Sequence, residues 1–236
     1  MSAEDLDRIV AVRGASTADL VYDALYQRIV ELALPPGSRI SEQDVARQIG
    51  SSRQPVREAF FRLAKLGLIE VQPQRATVVS RVSDAAVLQA KFIRTALETE
   101  TTRAAAALPD EARRQLAGLL EQQEAAAAAQ DRIRFHALDD AFHEAICAIA
   151  GNGFAWALIR ENKAHMDRVR WLSLAVGTRT AIDDHIRIFD ALCAGDAAAA
   201  TSAMRAHLAR IVDILDQVRS EHPVMFAPTP FVRDRG

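Results

Sequence analysis

Two runs with strand character, Leu68-Ile69-Glu70-Val71 and Ala76-Thr77-Val78-Val79, stand alone in a chain of 236 residues whose pattern is otherwise helical. They flank the turn Gln72-Pro73-Gln74-Arg75, which predicts one hairpin and no larger sheet. Three helical patterns precede it. The first places Val21, Leu25, Ile29 and Leu32 at helical spacing from Thr17. It ends at Leu34-Pro35-Pro36-Gly37, because proline cannot continue a helix and disfavours one in the residue before it. Ser41 then caps a short helix with acids in its first turn, stopping at Gly50. Ser51 and Ser52 offer a cap to a third, which tolerates Pro55 in its first turn, runs to about Leu66 and closes at Gly67. Three helices followed by a hairpin make a winged helix-turn-helix.

After Ser83 every segment reads as helix, at about 83–107, 110–129, 131–150, 154–174, 179–194 and 197–219. The breaks fall at Pro109, Gly151-Asn152-Gly153, Gly177-Thr178 and Gly195-Asp196. The expected fold class is therefore mainly α: an N-terminal winged helix-turn-helix and a C-terminal antiparallel six-helix bundle. The expected organisation is a flexible N-terminus over 1–16, a DNA-binding domain over 17–80, an all-helical domain over 83–219 and an irregular tail over 220–236. Half the residues are apolar and a quarter charged, a globular balance. Cys147 and Cys193 sit in apolar helical surroundings and read as reduced core residues. With no signal-peptide pattern and no long apolar run, the expected location is cytoplasmic.

The net charge of -2 neither favours nor excludes nucleic acid, but its distribution is informative. Between Arg39 and Arg81 there are eight Lys or Arg against four acids, as expected of a surface that meets phosphates. On the third helix Val56, Ala59, Phe60, Leu63 and Leu66 share the core face, while Arg53, Gln54 and Arg57 lie opposite, near the helix start. That is where a recognition helix reaches base edges: arginine pairs with guanine and glutamine with adenine. Spacing alone also allows a merely solvated basic face.

The motifs narrow this. Leu34-Pro35-Pro36-Gly37-Ser38-Arg39-Ile40, Val45-Ala46-Arg47-Gln48-Ile49-Gly50-Ser51-Ser52-Arg53-Gln54-Pro55-Val56-Arg57-Glu58-Ala59 and Leu66-Gly67-Leu68-Ile69 resemble the GntR family of bacterial regulators over residues 17–80. The resemblance implies operator contacts by Arg53, Gln54 and Arg57, with Gln43 and Arg75 as secondary contacts. Two positions depart from the family pattern: Ala76 stands where glycine is usual in the wing, and Phe61 where a polar residue is usual.

In the helical half, Asp139 and His143 stand four residues apart, so their side chains share a face about 40° apart. His185 lies before the Gly195-Asp196 turn and His207 after it, so folding back at the turn brings them to heights within roughly 3 Å. One carboxylate and three imidazoles suit zinc or another divalent transition metal. Independently satisfied histidines remain the alternative on geometry alone. Asp140 is the competing carboxylate, His136 lies a further two turns away, and His165 and His222 carry no assignment.

Asp139-Asp140-Ala141-Phe142-His143-Glu144-Ala145-Ile146, Asp184-His185-Ile186-Arg187 and Met204-Arg205-Ala206-His207-Leu208, with Arg94 and Glu98, resemble the FCD effector domain of the FadR subfamily. The resemblance implies that Asp139, His143, His185 and His207 ligate a divalent metal (zinc first, nickel or manganese otherwise). The open positions on such an ion admit a carboxylate or hydroxy-acid effector. Arg94 is the first cation expected to meet it, with Arg134, Asn162 and Arg168 as further effector-binding candidates. The expected protein is a homodimeric regulator of operator DNA, a repressor, governed by a small organic acid. A metal-free pocket for an acyl thioester and a metal-dependent hydrolase are the alternatives. Glu144, the nearest candidate base, lies about 100° around the helix from His143, which speaks against the hydrolase.

Overall fold

The computed structural model describes residues 16–71 and 76–228, and for 174–176 only the backbone path. The expected flexible N-terminus, the turn bearing Arg75 and the last residues of the tail lie outside the described residues. The chain divides into two compact units, one containing residues 1–84 and 222–236, the other 85–221.

In the first unit, α1 (Thr17–Val30) opens with a reciprocal cap in which the Ser16 hydroxyl accepts from the Asp19 N–H and the Asp19 carboxylate accepts from Ser16. Val21, Leu25 and Ile29 are buried as their spacing predicts. The helix stops short of the prolines, with Leu32 at φ 59°. Then come β1 (Arg39–Ile40), α2 (Glu42–Gln48), α3 (Arg53–Lys65), β2 (Ile69–Glu70) and β3 (Thr77–Val79). The sequence predicts a two-stranded hairpin; the sheet has three strands in the order β1-β3-β2, all antiparallel, with Ile40 opposite Thr77 and Ile69 opposite Val79. β1 is too short to leave a periodic trace and exists through pairing with a strand far away in sequence. Val56, Ala59, Phe60 and Leu63 of α3 are buried, while Leu66 forms the C-cap. Arg62 ties α3 to α1, 2.7 Å from Asp19 and stacked over Tyr22.

The second unit holds α4 (Asp84–Ala104, beginning at the boundary), α5 (Asp110–Ala128), α6 (Arg132–Ile149), α7 (Gly153–Asn162), α8 (Ala164–Cys193), α9 (Ala197–Ala209) and α10 (Ile211–Glu221). Leu116, Phe142, Ile146, Ile188, Leu192 and Met204 centre its main core. The six expected segments become seven helices because the breaks move. α8 runs straight through Gly177, which has no positive φ, since Val169, Ile182 and Ile188 on either side are buried and packing outweighs the weak helix propensity of one glycine. The break falls instead at Lys163, whose buried ammonium lies 2.5 Å from Asp167 and 2.8 Å from Asp140. A second unforeseen break at Arg210 separates α9 from α10. No helix among the described residues is long and apolar enough to cross a membrane.

The tail is not wholly irregular. Residues Pro223–Met225 form a 3-10 turn, and Phe226 pairs in parallel with Val82 through Val82 N–H to Met225 O and Ala227 N–H to Val82 O, each 2.9 Å.

Candidate metal centre and DNA-reading face

Three helices of the second unit bring His143 (α6), His185 (α8) and His207 (α9) together, with one nitrogen of each ring within 4.8 Å of the others. The fold-back of α9 on α8 turns at Gly195, whose φ of +71° suits glycine. On two of the rings Nδ1 meets an acceptor. His185 Nδ1 lies 2.8 Å from Gln123 Oε1, and the Gln123 amide is oriented because its Nε2 donates to the Leu138 carbonyl at 3.1 Å. Gln123 Oε1 can only accept, so His185 carries its proton on Nδ1 and its lone pair on Nε2. His207 Nδ1 lies 3.3 Å from Asp184 Oδ2, and His143 Nδ1 2.5 Å from Glu98 Oε2, close but out of line for an N–H donor. Carboxylates beside those Nδ1 atoms favour the same tautomer, leaving each Nε2 with a lone pair free to accept or to ligate. Burial, with the neighbouring His207, holds His185 well below the usual imidazole range, and burial lowers His207 too, which keeps these rings neutral.

Asp139 stands beside the cluster, outside the group of three convergent histidine nitrogens. It is 1 % exposed, its Oδ1 lies 3.7 Å from His185 Nε2 and its Oδ2 4.0 Å from His143 Nε2. Burial alone would raise its pKa, but the Arg170 guanidinium holds it well below the ordinary value. Oδ2 is bonded to the Arg170 guanidinium, while Asp139 Oδ1, both ring nitrogens of His143 and His185 Nε2 are buried without a hydrogen-bond partner among the described residues. Unpaired buried acceptors converging on one point are costly unless something binds there. A divalent cation fits this donor set, and the histidines' outer partners are of the kind that orient metal ligands. Asp140, the competing carboxylate, is held by Lys163 and Arg170 instead. His136 lies 3.7 Å from Asp167, and His165 is buried.

A cavity of about 290 Å³ adjoins the centre, with Asp139 and His207 in its wall. Of the four expected effector-binding residues, Arg94 lines it; Arg134, Asn162 and Arg168 do not. Arg134 and Asn162 are exposed, and Asn162 donates to the Leu158 carbonyl. Arg168 is fully buried, which lowers its pKa to about 10. Arg94 is buried and paired with Glu98, 2.5 Å through Nε and 3.3 Å through Nη2. Burial opposes the charge of Glu98, yet Arg94 and His143 keep its pKa low. Sequence reasoning missed Gln123, Arg170 and Arg210, which reach the site only through packing. Asp184 had a signal, standing next to His185.

On the first unit, Arg53, Gln54 and Arg57 are exposed at the start of α3, and Gln43 is exposed on α2. Both arginines lean on Glu42 Oε2, Arg53 at 3.3 Å and Arg57 at 3.4 Å. Such exposed pairs are weak, so the guanidinium groups remain available to another anion.

Residues 17–79 match the model described as bacterial regulatory proteins, gntR family, and residues 91–210 match the FCD domain. The chain is 38% identical over 210 residues to the HTH-type transcriptional repressor RspR of Escherichia coli (strain K12), covering 88% of this chain and 92% of that one. It is 36% identical over 211 residues to an uncharacterized HTH-type transcriptional regulator in an unstable DNA locus of Streptomyces ambofaciens, covering 88% of each. Among solved structures, E. coli McbR/YncC superposes with a TM-score of 0.74 at 24% identity, covering 86% of this chain and 98% of that one, a likeness of fold.

Proposed function

Because the chain belongs to the gntR family of bacterial regulatory proteins and carries an FCD domain, we propose that it is a metal-dependent, acid-responsive repressor. It is a DNA-binding transcriptional regulator, and with regulators for relatives the hydrolase reading falls. In our reading a cytoplasmic homodimer docks Arg53, Gln54 and Arg57 on operator bases, with Gln43 and Arg75 alongside. Asp139, His143, His185 and His207 hold one divalent cation, zinc by preference, with nickel or manganese as the other metals the donors suit.

The observation that carries this is the meeting of three histidine rings from three helices, one nitrogen of each within 4.8 Å of the others, with Gln123 and Asp184 bonded to Nδ1 of His185 and His207. The cation would supply a Lewis-acid anchor for a carboxylate. Arg94 offers the second, charged partner from the cavity wall. Binding there stabilises one arrangement of the helical unit over another, and operator affinity follows that population. A metal-free acyl-thioester pocket would leave the buried Nε2 atoms without a role.

Metal analysis of purified full-length protein should find about one divalent ion per chain. A thermal-shift screen of small organic acids should give hits that vanish with chelator. Protein that stays metal-free after reconstitution with zinc, nickel and manganese, or acid hits indifferent to chelation, would refute the metal-dependent reading.

A further inference from the structure

The DNA-reading face carries one large side chain to which the operator contacts named above give no role. Phe61, on α3, is 71 % exposed, while its neighbour Phe60 fills the core of the same unit at 2 %. An aromatic ring left in water forgoes the gain that burial would bring. Among the described residues no ring or cation stacks on Phe61; the adjacent Arg62 turns instead to Tyr22 and Asp19.

The position of the ring says what it can meet. At about 100° per residue, Phe61 lies roughly 20° around the helix from Gln54 and roughly 40° from Arg57. The three share the face opposite the buried Val56, Ala59 and Leu63. Lys65, also exposed, follows one turn later. Arg53, Arg57 and Lys65 thus set positive charge around the ring, as an anionic partner requires. The acids at hand are Glu58, on the same face, and Glu42, which Arg53 and Arg57 share. Counted from Gln54, the residues Arg57, Glu58 and Phe61 fall at i+3, i+4 and i+7. That is a spacing by which a helix lying in the major groove presents side chains to base edges.

The apolar group that the major groove displays is the 5-methyl of thymine. We infer that Phe61 is a specificity-determining residue that packs on a thymine methyl of the operator. Seven residues of helix rise about 10 Å and base pairs stack at about 3.4 Å, so this thymine lies within about three base pairs of the base that Gln54 reads. The inference rests on the operator-reading role given to α3 above and adds a reader whose contact is apolar. Arginine and glutamine select bases through hydrogen bonds; the phenyl ring selects by the burial of one methyl group.

The test removes the methyl group and the ring separately and together. Full-length wild-type protein enriches duplexes from a random-sequence library, and deoxyuridine then replaces each thymidine of the enriched duplex singly, which deletes one 5-methyl group. Binding is read by fluorescence anisotropy. At one thymine per half-site the wild type should lose about fourfold in affinity, the worth of one buried methyl. Phe61→Ala should bind the thymine duplex about fourfold or more weakly and lose nothing further on the uracil change. Phe61→Leu, still apolar, should keep part of the sensitivity. Melting temperatures should be unchanged in both variants, since the ring is exposed. A wild type indifferent to every uracil, or uracil losses that are the same in the wild type and Phe61→Ala at every position, would overturn the inference and assign the ring to some contact other than DNA. Such a result with operator binding still abolished by Arg57→Ala would spare the role of α3. A library that yields no enriched sequence, or binding indifferent to Arg57→Ala, would remove both.

Discussion

Gln123 does its work at the site through one proton. Its amide is pinned by the Leu138 carbonyl, so its oxygen fixes the His185 tautomer. Gln123→Leu should therefore lower metal affinity about 10–100-fold while the helices persist, as read by competition with a chromogenic chelator and by circular dichroism. Lys163 is a second such residue. Its ammonium, with His136 and Arg170, holds the Asp167 carboxyl well below the usual range against the opposing effect of burial. A depressed carboxylate stabilises the fold above its unfolded pKa near 3.9 and loses that contribution as pH falls below it. Lys163→Met should cost about 3 kcal/mol in urea denaturation at pH 7, the penalty shrinking as pH drops from 5 toward 3. The meeting of His143, His185 and His207 was legible because it follows from the position of one turn and from helical spacing. Gln123 and Arg170 were not, since nothing in α5 or α8 taken alone says which neighbour each will meet.

Helices are where reading from sequence succeeded in kind and slipped at boundaries. α1 to α3 were legible because apolar residues recur at helical spacing and a glycine or proline lies beyond each; Ser16 and Ser41 cap α1 and α2, while Ser52 precedes α3 without a side-chain bond. α8 was misread as broken because glycine is a poor helix former, yet buried residues on either side carry the helix through. An added Cβ at Gly177 meets nothing within 4 Å. Gly177→Ala should accordingly raise stability by about 0.5–1 kcal/mol in denaturant titration; a loss of stability would mean that the backbone there needs glycine. The breaks at Lys163 and Arg210 left no trace in propensity. Both residues carry charges drawn to carboxylates on other turns or helices, a tertiary cause.

For the whole molecule, the separation of labour predicts that the DNA-reading face can be silenced without disturbing the sensor. Arg57 is exposed on α3, away from the buried Val56 and Phe60. Arg57→Ala should abolish specific operator protection at concentrations where the wild type footprints fully, with melting temperature and metal content retained. Full protection by the variant would show that α3 reads DNA through other side chains. Fold class was legible from one hairpin amid helices; the return of the tail was not, because a single bridge at Phe226 has no periodicity.

That return changes what a protease can do. The helical unit is spliced into the regulator's chain, leaving at residue 84 and rejoining at 222, and residues on the two flanks, Val82 and Phe226, are paired. A single nick near either junction leaves fragments still joined, by the uncut peptide on one side and by main-chain pairing on the other. Releasing the helical unit as a free piece takes two cuts.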